Sequence, residues 1–531
     1  MIRAQFVKTP LMLSLSFGIL MGISWPPLPL FILSWIGLLP VFQLFRIGLR
    51  EGKSVFWVGL YLFWGVMLWN GLTTWWVWNA SGGGAIAMMI ANSLLMTSVL
   101  MLIYGTQKHL PKSGFMPFLF LWPAFEYFHF SWDIAYPWLT LGHALSMFPS
   151  IIQWYSYTGV AGGSVWIIGI NIALFKWATT SGYSVRYPAI IIVLPLIFSL
   201  ILLGSDPKVN TEEEGGAEVV VVQPNQDPYG TKFKMGPLEQ AQELISMLRP
   251  HIDTHTRFVV LPETAFTGSF DVAEWQAVPK VQLLRQFLRD FPKLSVIVGM
   301  ETYEMYWLEG EECGSNPTYT ARKTDDSCLW YDAYNTAGFF TLTGSPVFYH
   351  KARLVPGVEK MPYPKYLRFL EPLAIDLDGT TGSLGSSKEP IIMESEEGIK
   401  TAALICYESI FGSYVAQFAS KGTGFLTIIT NDGWWGNTPG YKQHLYYGSL
   451  RAIETRQYIA RAANTGISCF IDPKGRILQA TSWWEPAVIK RKISVQSSSP
   501  TFYVQYGDLI YKTCAFLGIF MVLGAFVKKI T

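Results

Sequence analysis

Three residues able to do nucleophilic chemistry each stand at the end of an apolar run. Glu263 closes RFVVLPE, Lys351 follows VFYH, and Cys406 ends TAALIC. A carboxylate can serve as a base, an ammonium can stabilise an oxyanion, and a thiol can attack a carbonyl. A free thiol ionises near pH 8.5, so around neutrality it needs a base within hydrogen-bond reach. A charge ending a run as apolar as FVVLP is costly unless it is paired. Taken singly, each residue has a plainer reading. Glu263 could be a helix cap or surface carboxylate, Lys351 a solvated cation, and Cys406 small core filling. Their common position favours a joint site, since strand ends are where α/β enzymes place reactive groups.

The elements that must position these residues lie in the polar stretch 206–499, a soluble domain of ordinary size. Short runs rich in β-branched residues predict buried strands at 217–223, 257–263, 294–300, 335–342, 401–408, 424–432 and 466–472. Between them, apolar positions recurring at three and four predict helices at 236–249, 278–291 and 443–461. Strands alternating with helices imply an α/β fold. The Ser/Gly-rich stretch 379–388 reads as a loop.

The rest of the chain is of another kind. Half of the 531 residues are hydrophobic and only 15% are charged, against roughly 25% in soluble proteins. Mean hydropathy is +0.27. Long segments hold no Lys or Arg: 9–45, 54–107, 113–175 and 187–207. A bilayer span needs about 20 mostly apolar residues. Spans are expected near 10–25, 28–46, 55–77, 84–105, 114–131, 152–175, 187–205 and 508–527. That is seven in 1–205 and a last one in 500–531. The aromatic, Pro-punctuated segment 132–151 reads as a loop in the outer interface. Cations cluster at Arg3 and Lys8, at Arg46, Arg50 and Lys53, at Lys108 and Lys112, at Lys176 and Arg186, and at Lys528 and Lys529. By the positive-inside rule both termini are then cytoplasmic and 206–499 lies outside. The net charge of +2 is too small to suggest a nucleic-acid partner. None of the five cysteines sits in a CxxC pair, so neither zinc nor another metal is expected.

The order Glu, Lys, Cys, each at a strand end, resembles the nitrilase superfamily, whose domain is an αββα sandwich. The whole chain resembles the apolipoprotein N-acyltransferases, in which a nitrilase-like domain precedes the final transmembrane helix. The matching motifs are LPET at Glu263, YNTA at Asn335, HKxxLVP at Lys351, CYES at Cys406, NDGWWG at 431–436, and RAxE with ARAANTG through 451–466. There are departures. VPGVE lacks a Phe-Gly pair found in better-known members, although Glu359 keeps its eight-residue spacing from Lys351. NDGWWG replaces the more usual NDAWFG, and about 305–330 looks like an insertion.

The resemblance implies a ping-pong acyl transfer needing no cofactor. Cys406, deprotonated by Glu263, takes a fatty acyl chain from a phospholipid as a thioester. The α-amine of an N-terminal diacylglyceryl-cysteine on an apolipoprotein then removes it. Lys351 and the backbone N–H of Tyr407 are candidate oxyanion donors, and Glu359 orients Lys351. Glu408 is expected to hold the loop behind the nucleophile. Asn335, Trp434 and Trp435 are candidates for substrate contact, the two indoles with Tyr363, Tyr366 and Phe369 along an acyl path. Ordinary core packing is the plainer reading of these aromatic residues. The implied setting is the bacterial inner membrane, as a monomer, with the catalytic domain periplasmic. In that oxidising compartment Cys313 and Cys328 are expected to pair. Two other functions stay open: a membrane-tethered amidase with the same three residues, and an inactive scaffold.

Overall fold

The structure, a computed structural model, describes residues 9–205, 216–230, 232, 234–309, 317–326, 328–363, 366, 383–495 and 499–530. It divides into two compact units. One contains Met1–Ser205, Thr438–Leu450 and Tyr506–Thr531, and the other Asp206–Asn437 and Arg451–Gln505.

The first unit is helical. Its helices are α1 (Pro10–Ile23), α2 (Leu39–Arg50), α3 (Val55–Thr74), α4 (Gly82–His109), α5 (Met116–His129), α6 (Tyr155–Thr179), α7 (Arg186–Ser205) and a last one, Leu509–Ile530. Six helices among the described residues are long and apolar enough to cross a membrane: 31–50, 55–74, 82–109, 155–179, 186–204 and 509–530. They coincide with six of the eight expected spans. The two remaining expectations fall on α1 and α5, each of only 14 residues. At 1.5 Å per residue such a helix covers roughly 21 Å, short of the ~30 Å hydrocarbon core. Segment 132–151 carries only short 3₁₀ turns.

Two buried polar side chains of this unit, Glu126 and Gln443, are tied to several partners each, as an apolar surround favours. The buried Glu126 accepts from Trp122 Nε1 (3.0 Å), Leu141 N (2.8 Å) and Tyr511 OH (3.0 Å). Segment 438–450 belongs here for a similar reason. Gln443 Nε2 donates to the carbonyls of Pro26 (2.8 Å) and Thr73 (3.1 Å), and its Oε1 accepts from Trp76 (3.1 Å) and Trp138 (2.7 Å).

The second unit holds two sheets. Strands β1 (Gly216–Gln223), β2 (Thr256–Val260), β3 (Phe266–Asp271), β4 (Ser295–Trp307), β5 (Arg322–Lys323), β6 (Leu329–Phe340) and β7 (Val347–His350) join β14 (Ala487–Ser494) in one. Its order is β14-β1-β2-β4-β6-β5, with β3 beside β4 and β7 beside β6. The other runs β13-β12-β11-β10-β9-β8, from Ile477–Leu478 through Cys469–Ile471, Tyr458–Ala463, Phe425–Thr430 and Lys400–Ile405 to Met393–Glu394.

Amphipathic helices α8 (Pro237–Leu248) and α9 (Pro279–Asp290) start on Pro, which suits a first helical position. They bury Ala241, Leu244, Leu248, Val281, Leu284 and Leu288 against Val220, Val222, Val259, Val296 and Val298 of the first sheet. The other face of that sheet meets the second sheet, with the Phe258 and Phe425 rings 5.0 Å apart. Parallel strands β9, β10 and β11 are linked by α10 (Gly412–Ser420) and α11 (Pro439–Thr455). The architecture is the expected α/β sandwich.

One predicted element is wrong. The helix read over 443–461 ends at Thr455, and Tyr458–Ala463 is a central strand. Arg456, at φ +54°, breaks the helix. All six residues of YIARAA are buried, so the apolar positions carry no period that tells strand from helix.

Candidate active site

Glu263 lies just beyond β2, in the LPET turn. Pro262 O accepts from Gly299 N (3.1 Å) of β4. The approach there is so close that a Cβ on Gly299 would sit 2.5 Å from Glu263 Cα and from Pro262 O. Only glycine permits it. Glu263 is only 6% exposed. Oε1 accepts from Asn335 Nδ2 (2.7 Å) and Lys351 Nζ (3.3 Å), and Oε2 accepts from the backbone N–H of Asn431 (3.0 Å).

Lys351 follows β7, where its N–H donates to Asn335 O on β6 (2.8 Å). Its Nζ lies 2.7 Å from Glu359 Oε1 and 3.3 Å from Glu263 Oε1. Glu359 is fixed in turn, with Oε2 accepting from Val355 N (2.8 Å) and Oε1 also reached by Asn335 Nδ2 (3.3 Å). Burial alone would lower the ionisation of Lys351, but the Glu359 and Glu263 carboxylates outweigh it and hold the ammonium above its usual range.

Cys406 ends β9 in a left-handed conformation, φ +50°, and opens the short turn Cys406–Ile410. A non-glycine residue held at positive φ is strained, and such strain clusters at reactive sites. Its carbonyl accepts from Ser409 Oγ (2.8 Å). Burial and the Glu263 carboxylate push the thiol well above its ordinary range, against the pull of the Lys351 ammonium. The resting sulfur is therefore protonated, and any attack must be coupled to proton removal.

Glu408 lies behind the turn, fully buried. Oε1 accepts from Tyr349 OH (2.6 Å), Ala352 N (2.7 Å) and Arg353 N (3.3 Å), and Oε2 accepts from Ile405 N (2.8 Å). One carboxylate thus joins the residue before Cys406 to the residues after Lys351. Burial disfavours its ionisation and lifts its pKa above the ordinary carboxylate range.

The other expected site residues fall as follows. Asn335 bridges the two glutamates through its amide hydrogens, and its buried Oδ1 has no hydrogen-bond partner among the described residues. Tyr407 is buried, with its ring edge-on to Phe411 at 5.2 Å. Trp434 and Trp435 are half-buried in the turn Asp432–Trp435, directly after Asn431. Trp434 O accepts from Tyr229 OH (3.0 Å). Tyr363 and Tyr366 are exposed, and Phe369 lies outside the described residues. Cys328 is disulfide-bonded, whereas Cys406, Cys469 and Cys514 are not. Cys313, its expected partner, lies outside the described residues. No group of three or more metal-ligating side chains occurs among the described residues.

Sequence reasoning gave no role to Asn431, whose backbone fixes Glu263. Nor did it assign the buried pair Asp432 Oδ2–Arg461 Nη2 (2.5 Å), or Tyr349 and Tyr414, whose hydroxyls lie 2.7 Å apart beside Glu408. The motifs NDGWWG and ARAANTG were the available signals for the first three.

An α/β sandwich that gathers a glutamate, a lysine and a cysteine at strand ends, on a chain with apolar helices, defines a membrane-borne member of the carbon-nitrogen hydrolase class. The carbon-nitrogen hydrolase family matches residues 216–502, and the apolipoprotein N-acyltransferase N-terminal domain matches 17–173. The apolipoprotein N-acyltransferase of Chlorobaculum tepidum is 30% identical over 99% of this chain and 98% of its own length. That of Geobacter metallireducens is 26% identical over 94% and 91%. An amidase from Nesterenkonia sp. is 15% identical, covering 55% of this chain and 94% of its own, with a TM-score of 0.36. The chain belongs to the apolipoprotein N-acyltransferase family.

Proposed function

We propose that this protein N-acylates lipoproteins by a two-step transfer through Cys406. A phospholipid is the donor, and the α-amine of a diacylglyceryl-cysteine is the acceptor. The observation that carries the reading is the convergence of Glu263, Lys351 and Glu359 in one buried hydrogen-bonded cluster, with the Glu263 and Lys351 charges acting on the Cys406 thiol.

Glu263 removes the thiol proton as sulfur attacks the ester carbonyl. Its three donors hold it as an acceptor aimed at the task. Lys351, kept cationic by two carboxylates, stabilises the oxyanion together with the N–H of Tyr407. Collapse passes the Glu263 proton to the leaving oxygen, releases a lysophospholipid and leaves a thioester. The acceptor amine attacks this thioester, Glu263 takes up its proton, and the thiol is restored. Glu359 orients Lys351, and Glu408 fixes the nucleophile turn. Asn335 steadies both glutamates, and Trp434 and Trp435 contact acyl chains.

The proposed setting is the inner membrane, with 206–499 on the periplasmic side between 1–205 and 500–531, and the protein acting as a monomer. The cation distribution supports this orientation. So does the disulfide at Cys328, since such bonds persist in oxidising compartments.

The test is intact mass spectrometry of the purified protein. Phospholipid alone should add a hydroxylamine-sensitive acyl mass, and a diacylated lipopeptide should discharge it. Cys406→Ala should add none, and Cys406→Ser should be nearly inactive because a hydroxyl is a far weaker nucleophile. An adduct persisting in Cys406→Ala, or transfer requiring both substrates at once, would refute the mechanism.

A further inference from the structure

Behind the reactive sulfur lies a buried chain of polar groups with no part in the mechanism above. Strands β9 and β10 are parallel and pair Ile405 with Ile429. Cys406 and Thr430 therefore stand side by side at the ends of neighbouring strands. The Thr430 hydroxyl hydrogen-bonds with the Cys406 side chain. It also donates to Asp432 Oδ1 (2.7 Å). Asp432 Oδ2 is held by Arg461 Nη2 (2.5 Å), which reaches over from β11. Thr430, Asp432 and Arg461 are all fully buried.

We propose that Thr430 acts directly on the Cys406 sulfur, giving its hydroxyl hydrogen to the thiolate, and that Asp432, clamped by Arg461, holds the hydroxyl in reach. The inference rests on Cys406 being the nucleophile.

A hydroxyl has one hydrogen and two acceptor lone pairs. While the sulfur is a thiol, its S–H points to Thr430 Oγ1 and the Thr430 hydrogen points to Asp432. When the thiol proton passes to the Glu263 carboxylate, the Thr430 hydrogen turns to the sulfur anion. No atom is gained or lost, since one proton moves to Glu263 and one hydroxyl rotates. Arg461 makes the rotation feasible, because Asp432 keeps its ion pair when the hydroxyl leaves. The charged groups facing the thiol are Glu263, Lys351 and Asp432. Glu359 stands behind Lys351, Arg461 behind Asp432, and Glu408 beneath the turn. Thr430 differs from all of them in being neutral and free to rotate, so it can favour the anion without favouring the thiol.

The test uses the full-length protein in detergent and follows iodoacetamide alkylation of Cys406 against pH by peptide mass spectrometry. Thr430→Val keeps the shape and loses the donor, whereas Thr430→Ser keeps the donor. The Val profile should move to higher pH, with alkylation at least about tenfold slower on the rising limb, as loss of a hydrogen bond to a charged group implies. The Ser profile should overlay wild type. If Thr430→Val does not fold, Thr430→Ala carries the same measurement. A donor-less variant whose profile overlays wild type would overturn the proposal, even if its activity or thermal stability fell. Absence of an acyl adduct on wild-type Cys406 would instead overturn the acyl-enzyme reading, and the alkylation profiles would still decide the role of Thr430.

Discussion

Replacing Glu408 by Gln should loosen the site from behind. The carboxylate serves four donors with two oxygens: Tyr349 OH, Ala352 N and Arg353 N on one, and Ile405 N on the other. A Gln side chain has the same shape but one acceptor oxygen, and its second terminal atom is a donor. Turned one way, it strands Ile405 N–H against an amide hydrogen. Turned the other way, it strands Ala352 and Arg353, while Tyr349 can still bond to the Tyr414 hydroxyl at 2.7 Å. The cheaper choice sacrifices Ile405, and one stranded buried donor costs about 1–3 kcal/mol. Glu408→Ala strands the backbone donors of both loops and should cost more, reduced where water enters the hole. Ile405 adjoins Cys406 and Ala352 adjoins Lys351, so the damage also reaches the reacting groups. A displacement of about 1 Å can cost ~10²-fold in rate. The assays are denaturant unfolding and the rate of hydroxylamine-sensitive adduct formation. Burial lifts the Glu408 carboxyl, so the folded protein keeps a proton that the unfolded chain has released. Wild-type stability, measured against Glu408→Gln, should therefore fall as pH rises from the ordinary carboxylate range through the raised value. Glu408→Gln matching wild type in both stability and adduct rate would refute this account.

Glu263→Gln should separate ionisation from catalysis. Because the Glu263 carboxylate raises the thiol, its removal should shift Cys406 alkylation to lower pH while acyl transfer slows, and a shift to higher pH would contradict the charge assignment. Lys351→Ala should slow adduct formation by about 10²–10³-fold, as expected for one lost oxyanion donor. Loss confined to apparent lipid affinity would argue against that role. Gly299→Ala should slow adduct formation by on the order of 10²-fold, because the new Cβ would lie 2.5 Å from Glu263 backbone that cannot yield cheaply. Wild-type rates there would mean that β4 moves away. Reporters fused after Arg50, Lys112 and Lys529 should read cytoplasm and one within 206–499 should read periplasm. A cytoplasmic reading for the last would overturn the orientation and the lipoprotein acceptor together.

What the sequence revealed and what it hid follow one physical division. Glu263, Lys351 and Cys406 were singled out because each ends an apolar run and because all three occur in one order among the motifs of a known family. Glu359 was singled out only through the family resemblance, whose eight-residue spacing from Lys351 it keeps. The strand Tyr458–Ala463 was not legible, because a strand buried on both faces has no alternation to betray it. Short helices α1 and α5 were read as full spans because hydropathy measures composition, whereas the bend at Trp25-Pro26-Pro27 and the turn around Ser131 set their ends. The supporting set was hidden for a deeper reason. Asn431 holds Glu263 through its backbone N–H, which every residue except proline possesses, so no side-chain type could announce it. Asp432 and Arg461 sit 29 positions apart and meet only because β10 and β11 are neighbours. Glu408 is two residues from Cys406, yet its partners Tyr349 and Ala352 come from the other sheet, on β7 and in the loop after it. A catalytic residue is visible where it violates the pattern of its own segment. A residue that obeys that pattern becomes visible only when the fold brings two segments together, and for that reason Thr430, an ordinary β-branched residue at the end of FLTIIT, escapes any reading of the sequence alone.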